Sequence, residues 1–182
     1  EDKVDGWGMC CIYCMTNDFP EKYPEIARRL IIAHALSTEY LYLHPYNAGM
    51  MFAEGFGTSP EVGLRTVYMK TVAEGRTLTY EFSEENLENY INYFYKYEVP
   101  EKEIPNINDM AKFMSVELLG KAELKDFNGF IAEKVDPVFP IGMSYIDWLK
   151  KAKAIDGIPE DDKTGEDVEQ WVGENTNKIA TN

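Results

Sequence analysis

Apolar residues recur at helical spacing along most of this chain. From Pro24 to His44 they fall at Ile26, Ala27, Leu30, Ile31, Ala33, Leu36, Tyr40 and Leu43, the i, i+3, i+4 pattern of an amphipathic helix. Pro24 suits its first turn, and Pro45 is expected to end it. A short helix is predicted over Asn47 to Glu54, closed by Gly55. Ser59-Pro60-Glu61 then supplies an N-cap, an N1 proline and a first-turn acid for the series Leu64, Val67, Tyr68, Val72, which stops at Gly75. Ser83 with Glu84 and Glu85 opens a further helix carrying Leu87, Tyr90, Ile91 and Phe94 up to Val99-Pro100. Asn108 or Asp109 can cap one through Met110, Phe113 and Met114. The stretch from Gly120 to Phe139 has no readable period. Ser144 and Asp147 make a capping-box-like start for a helix with Ile146, Leu149 and Ile155, closed by Gly157 and Pro159.

One segment breaks the helical rhythm. Met9-Cys10-Cys11-Ile12-Tyr13-Cys14-Met15 is continuously apolar and short, between Gly6 and Gly8 on one side and Thr16-Asn17-Asp18 on the other. This reads as a strand buried on both faces, as in a parallel sheet. No second segment repeats the pattern, so its strand partners are expected outside this chain. The expected class is therefore α/β but helix-rich. Residues 1–158 form the folded part. From Pro159 to Asn182 the chain turns acidic and poor in apolar residues, which predicts a solvated, partly mobile tail.

Charge removes some functions from consideration. The 182 residues include 18 Lys+Arg against 32 Asp+Glu, a net charge of −14, with no basic cluster that could track phosphates, so nucleic acid is not an expected partner. Apolar residues make up 45% of the chain, enough for a sizeable core. No run approaches the roughly 20 apolar residues of a membrane span. A chain opening Glu1-Asp2-Lys3, with no leader pattern, is expected to be a processed product or a piece of something longer.

Candidate chemistry gathers around the apolar segment. All three cysteines, Cys10, Cys11 and Cys14, lie in it. Cys11 and Cys14 have the spacing of soft-metal and redox sites, but alternation along a strand sends Cys10 and Cys14 to one face and Cys11 to the other. A buried core role, a cleft-lining role and metal or redox chemistry all stay open, and no metal or cofactor is assigned. Trp7 precedes the segment and Tyr13 lies within it, where an aromatic ring is either a ligand platform or core packing. Thr16, at the carboxyl end of the strand and ahead of a helix, can hold a ligand with the neighbouring backbone N–H groups; helix capping by Asn17 or Asp18 is the competing role. His34 and His44, ten residues apart on a helix, point roughly 80° apart and make no metal pair. Met50, Met51 and the group Tyr90, Tyr93, Tyr95 and Tyr97 read either as an interaction surface or as core with a half-buried rim. The common hydrolase, NTPase and dinucleotide motifs do not occur.

Several stretches resemble a known family. These are the polar turn after the strand, Asp18-Phe19-Pro20-Glu21-Lys22-Tyr23-Pro24-Glu25, the long helix with Ala33-His34-Ala35 and Thr38-Glu39-Tyr40-Leu41, the His44-Pro45 stop, Ser59-Pro60-Glu61-Val62 and Leu78-Thr79-Tyr80-Glu81-Phe82-Ser83. Their order over residues 4–120 resembles the second half of the solute-binding proteins of nitrate, taurine and sulfonate ABC importers. Cys10-Cys11-Ile12-Tyr13-Cys14 is similar to the Cys-Cys-Cys-Phe-Cys signature of the thiamine-pyrimidine-precursor synthases, which share that fold. Here Ile12 replaces the third cysteine and Tyr13 the Phe.

The resemblance implies part of a type II periplasmic-binding-protein lobe, one buried strand followed by several helices, in a clamshell that closes on a small molecule. It implies a small anionic or pyrimidine-like ligand, and Trp7, Cys10, Cys11, Tyr13 and Thr16, at the ends or faces of the expected strand, are the residues expected to meet it. The implied partners are a membrane permease and the N-terminal half of the same protein, outside the cytoplasm. Catalysis is not expected; a synthase-like activity using the cysteines is the alternative.

Overall fold

The structure, a computed structural model, describes residues 13–16, 18–81, 92, 95–96 and 120–167. The chain divides into two compact units, Glu1–Leu36 with Thr79–Phe127 and Ser37–Leu78 with Asn128–Asn182. The described residues are helix-rich and contain no strand. This corrects the α/β expectation at its one described point. Residues 13–16 have no regular structure, and Tyr13, Cys14 and Thr16 are exposed. A buried strand needs a ladder partner for its backbone, and no described segment supplies one. The rest of the expected strand lies outside the described residues. So do the helices expected from Ser83 and from Asn108 or Asp109, apart from the helical positions 92, 95 and 96.

In the first unit, helix α1 (Phe19–Lys22) is a single turn. Helix α2 (Pro24–Leu43) follows, opening on a proline with Glu25 in its first turn and giving residues 24–36 to this unit. Glu25 accepts from Arg28 at 3.0 Å and Arg29 at 3.2 Å, and these two bonds pull its carboxyl down to about 2. Ala27, Ala35, Tyr80, Ala122 and Phe127 are buried here, with the Tyr80 and Phe127 rings edge to face at 5.1 Å. The Phe127 N–H donates to Glu81 Oε1 at 2.9 Å. That bond satisfies an N–H that has no partner within helix α5 (Phe127–Phe130).

The second unit begins inside α2. Pro45 does more than end that helix, because it is the first residue of α3 (Pro45–Phe56). The chain leaves α3 at Gly57, whose φ of 63° is the left-handed conformation that closes helices. Gly55, expected as the stop, lies inside the helix. Helix α4 (Pro60–Tyr68) opens as its sequence dictates: Ser59 Oγ accepts from the Val62 N–H at 3.4 Å. It widens into a π-turn, Met69–Ala73. Thr71 Oγ1 bonds back to the Val67 carbonyl at 2.7 Å, and Thr77 donates from both its N–H and its hydroxyl to the Lys70 carbonyl.

Asn128 to Phe139, the second-unit part of the stretch that is unreadable in sequence, supplies much of this core. After α5 a second π-turn, Ile131–Val135, buries Ile131 and Val135, and Phe139 follows. Helix α6 (Tyr145–Ile155) starts at Ser144, whose Oγ accepts from the Asp147 N–H at 3.2 Å. Its buried face is Tyr145, Trp148, Leu149 and Ala152; of the expected stripe only Leu149 is buried, while Ile146 and Ile155 are exposed.

Helices α3, α4 and α6 pack on one another. Where α3 meets α4 the backbones touch: a Cβ on Gly63 would sit 2.2 Å from the Gly49 carbonyl oxygen, and one on Gly49 would sit 2.8 Å from Leu64 Cδ2. Leu64, Val72, Ala152 and Trp148 are all at most 1% exposed. Burying each large apolar side chain of this kind contributes about 1.5–3 kcal/mol.

Two polar clamps close the unit. Arg76 donates to the Thr71 carbonyl, to Asp136 Oδ1 at 2.5 Å and to the Phe139 carbonyl at 2.6 Å. Lys153, 7% exposed, donates to the Asp162 carbonyl at 2.6 Å and reaches Glu166 Oε1 at 3.3 Å. Residues 159–167, acidic enough to be read as solvated, are thereby held on α6, and the Tyr145 hydroxyl donates to the Gly165 carbonyl at 2.9 Å. Residues 168–182 lie outside the described residues.

Candidate functional site

Of the expected ligand-binding residues, Trp7, Cys10 and Cys11 lie outside the described residues, and Tyr13 and Thr16 lie within them. Tyr13 is half exposed, its ring centroid 5.5 Å from that of the exposed His34 on α2 and tilted 33° to it. The Thr16 carbonyl accepts from the Phe19 N–H at 3.0 Å, which turns the chain into α1. Asp18 occupies the N-cap position of α1 but makes no side-chain capping bond. It instead takes a bond from Lys22 Nζ at 2.6 Å; that bond, then one from the Thr16 side chain, holds its carboxyl below the usual range. Lys22 therefore compensates the negative charge that would oppose an anionic ligand here. Tyr13 thus lies against His34 in the middle of α2, while Thr16 sits at the turn into α1. Cys14, the described member of the cysteine cluster, is also exposed.

A second arrangement, in the second unit, escaped sequence reasoning. The side chain of Asp156, just past the end of α6, is fully excluded from solvent. Its Oδ1 lies 2.8 Å from His44 Nδ1, and its Oδ2 accepts from the Asn47 N–H at 2.9 Å. Asn47 is in the first turn of α3, so the carboxylate caps that helix from 109 residues away and sits at its favourable dipole end. Tyr40 stacks on His44, ring centroids 4.7 Å apart and 28° from parallel. The carboxylate favours the tautomer with its proton on Nδ1, and Nε2 then has no partner among the described residues. No hydroxyl or thiol is hydrogen-bonded to His44 among them, so the pair orients an imidazole without a nucleophile at hand. The local signal for this site was slight: Asp156 beside Gly157 looks like any residue at a helix end.

Beside this pair runs a shallow groove of about 480 Å³, lined by Tyr40, Asn47, Met50, Met51 and Glu54 among others. Met50 is half-buried and Met51 is 63% exposed. Tyr95 is exposed, and Tyr90, Tyr93 and Tyr97 lie outside the described residues. A second depression, about 550 Å³, lies over Pro140, Met143, Asp147, Lys150 and Lys151, with charges of both signs. Among the described residues no three His, Cys, Asp or Glu side chains are placed to hold a metal ion, and no helix is long and apolar enough to cross a membrane.

No protein-family model, curated protein or solved structure matches this chain. The likeness to importer binding proteins therefore rests on the residues quoted from the sequence.

Proposed function

We propose that this chain is a binding component that captures a small solute, with Tyr13, Thr16 and His34 as its described contact surface. The observation that carries this is the exposure of Tyr13 against the His34 imidazole: a planar platform with a polar partner, held on the exposed side of α2 rather than consumed in a core. The finer reading follows the sequence resemblance. It makes the chain part of a type II periplasmic-binding-protein lobe of an ABC importer, working with a permease outside the cytoplasm, with Trp7, Cys10 and Cys11 completing the site. A net charge of −14 gives an anion no long-range attraction, so an uncharged planar pyrimidine-like solute suits this surface better than nitrate.

The experiment is a thermal-shift titration with a hydroxymethylpyrimidine, taurine and nitrate, on the parent chain and on Tyr13→Ala. Saturable stabilisation by one of them, lost in Tyr13→Ala, is the expected result; equal shifts in both proteins, or none, would count against the surface. The exposed Cys14 favours a second reading, a synthase-like enzyme using the cysteine cluster. Product formed from a pyrimidine precursor, and lost when the cysteines are replaced, would move the assignment there.

A further inference from the structure

The groove beside α3 belongs to neither reading above, and its chemistry is specific. One wall carries Met50 and Met51, side chains that adapt to irregular apolar partners. Tyr40 adds an aromatic ring that His44 holds in place by stacking, and His44 is itself fixed by the buried Asp156. The floor is rigid, because α3 is pinned to α4 at Gly49 and Gly63 and capped by Asp156 at its start.

The one charged side chain among those lining the groove is acidic, Glu54. Between residues 37 and 68 the acidic residues are Glu39, Glu54 and Glu61, and the only Lys or Arg is Arg65. Arg65 lies over the Tyr145 ring at 4.5 Å and does not line the groove. Glu54 lines it and is exposed. An apolar, methionine-bearing trough with an acidic edge, on a chain of net charge −14, complements an occupant that is apolar along one face and cationic beside it.

From this geometry we propose that the groove is a docking site for a basic amphipathic helix of a partner protein. Its apolar residues lie against Met50, Met51 and Tyr40, and a Lys or Arg pairs with Glu54. The groove's α3 wall, from Asn47 to Glu54, offers a length of about 12 Å, which matches roughly two turns of such a helix. The trough is too open to enclose a small molecule but suits side chains arriving from one helix face. This inference does not depend on the solute-binding reading.

The test uses a synthetic Leu/Lys amphipathic helix as the probe, with a charge-matched scramble and a Leu/Glu version as controls, followed by fluorescence anisotropy on the full chain. The amphipathic basic peptide is expected to bind at least about tenfold more tightly than either control. Met51→Lys and Glu54→Lys should each weaken it about tenfold or more, with unchanged melting curves because both side chains are exposed; Met51→Ala repeats the test without altering charge. Equal binding of the scramble would reduce the effect to charge alone, and undiminished binding by the variants would place it elsewhere on the surface; either overturns the proposal. So would self-association of the parent chain that Met51→Lys abolishes, since the groove would then belong to a second copy.

Discussion

Gly49 and Gly63 set the distance between α3 and α4, and they do it by what they lack. Gly63→Ala would drive a methyl into the Gly49 carbonyl, a clash that only a backbone shift can relieve. It should cost about 1–3 kcal/mol by urea denaturation, at the upper end because the obstacle is backbone. Gly55, two turns along, has nothing within 4 Å of a Cβ, and Gly55→Ala should stabilise by about 0.5–1 kcal/mol through helix propensity. Opposite signs from one substitution type would tie the effect to the helix crossing. Single residues were also where the sequence spoke most clearly. Ser59 and Ser144 are the N-caps that their neighbours announce, because a cap needs only a hydroxyl three residues ahead of an N–H. Asp156 was invisible for the opposite reason: its partners, His44 and Asn47, are remote in the chain.

At the scale of elements, helices bounded by proline and glycine were legible, and the choice of buried face was not. On α6 two arcs could have faced inward. The one that did carries Tyr145 and Trp148, whose rings pack against Tyr68 at 5.2 and 5.6 Å, while Ile146 and Ile155 stay outside. Tertiary partners decided this, and periodicity cannot see them. The stretch around α5 was unreadable because its buried residues, Phe127, Phe130, Ile131, Val135 and Phe139, run through a π-turn and out into a loop. The end of that loop is held by Arg76, whose side chain is 12% exposed and whose fork spans three acceptors. A lysine is a point charge and cannot reproduce that fork, so Arg76→Lys should cost about 2 kcal/mol although it conserves charge. A melting temperature within a degree or so of the parent's would show that the clamp contributes little.

At the scale of the whole molecule, the pH limits of stability follow from groups that the fold has buried or bonded. Burial pushes the hydroxyls of Tyr42 and Tyr145 up to about 12, against the opposing charges of Arg76 and Arg65 respectively. Their pKa values are raised above the ordinary value of 10, so the folded state keeps protons that the unfolded chain has already lost. Their stabilising contribution is complete below pH 10 and is lost as pH climbs through 12, and urea midpoints should fall across that window. Tyr42→Phe should flatten the fall. On the acid side, burial works against the charged forms of Asp162 and Glu166, but hydrogen bonds outweigh it, from Lys153 and Thr164 to Asp162 and from Lys163 and Lys153 to Glu166. Both carboxyls stay below their usual range. The hold of residues 159–167 on α6 is therefore present above the ordinary carboxylate range and weakens as pH falls through it.

The claim that the chain captures a small solute is tested most directly by weighing the purified protein twice, once denatured and once in a native electrospray. The account predicts a native mass above the denatured one by a small organic molecule, with the increment lost on unfolding and absent from Tyr13→Ala. A native mass equal to the denatured mass, unchanged after incubation with the pyrimidine, taurine and nitrate probes, would contradict it.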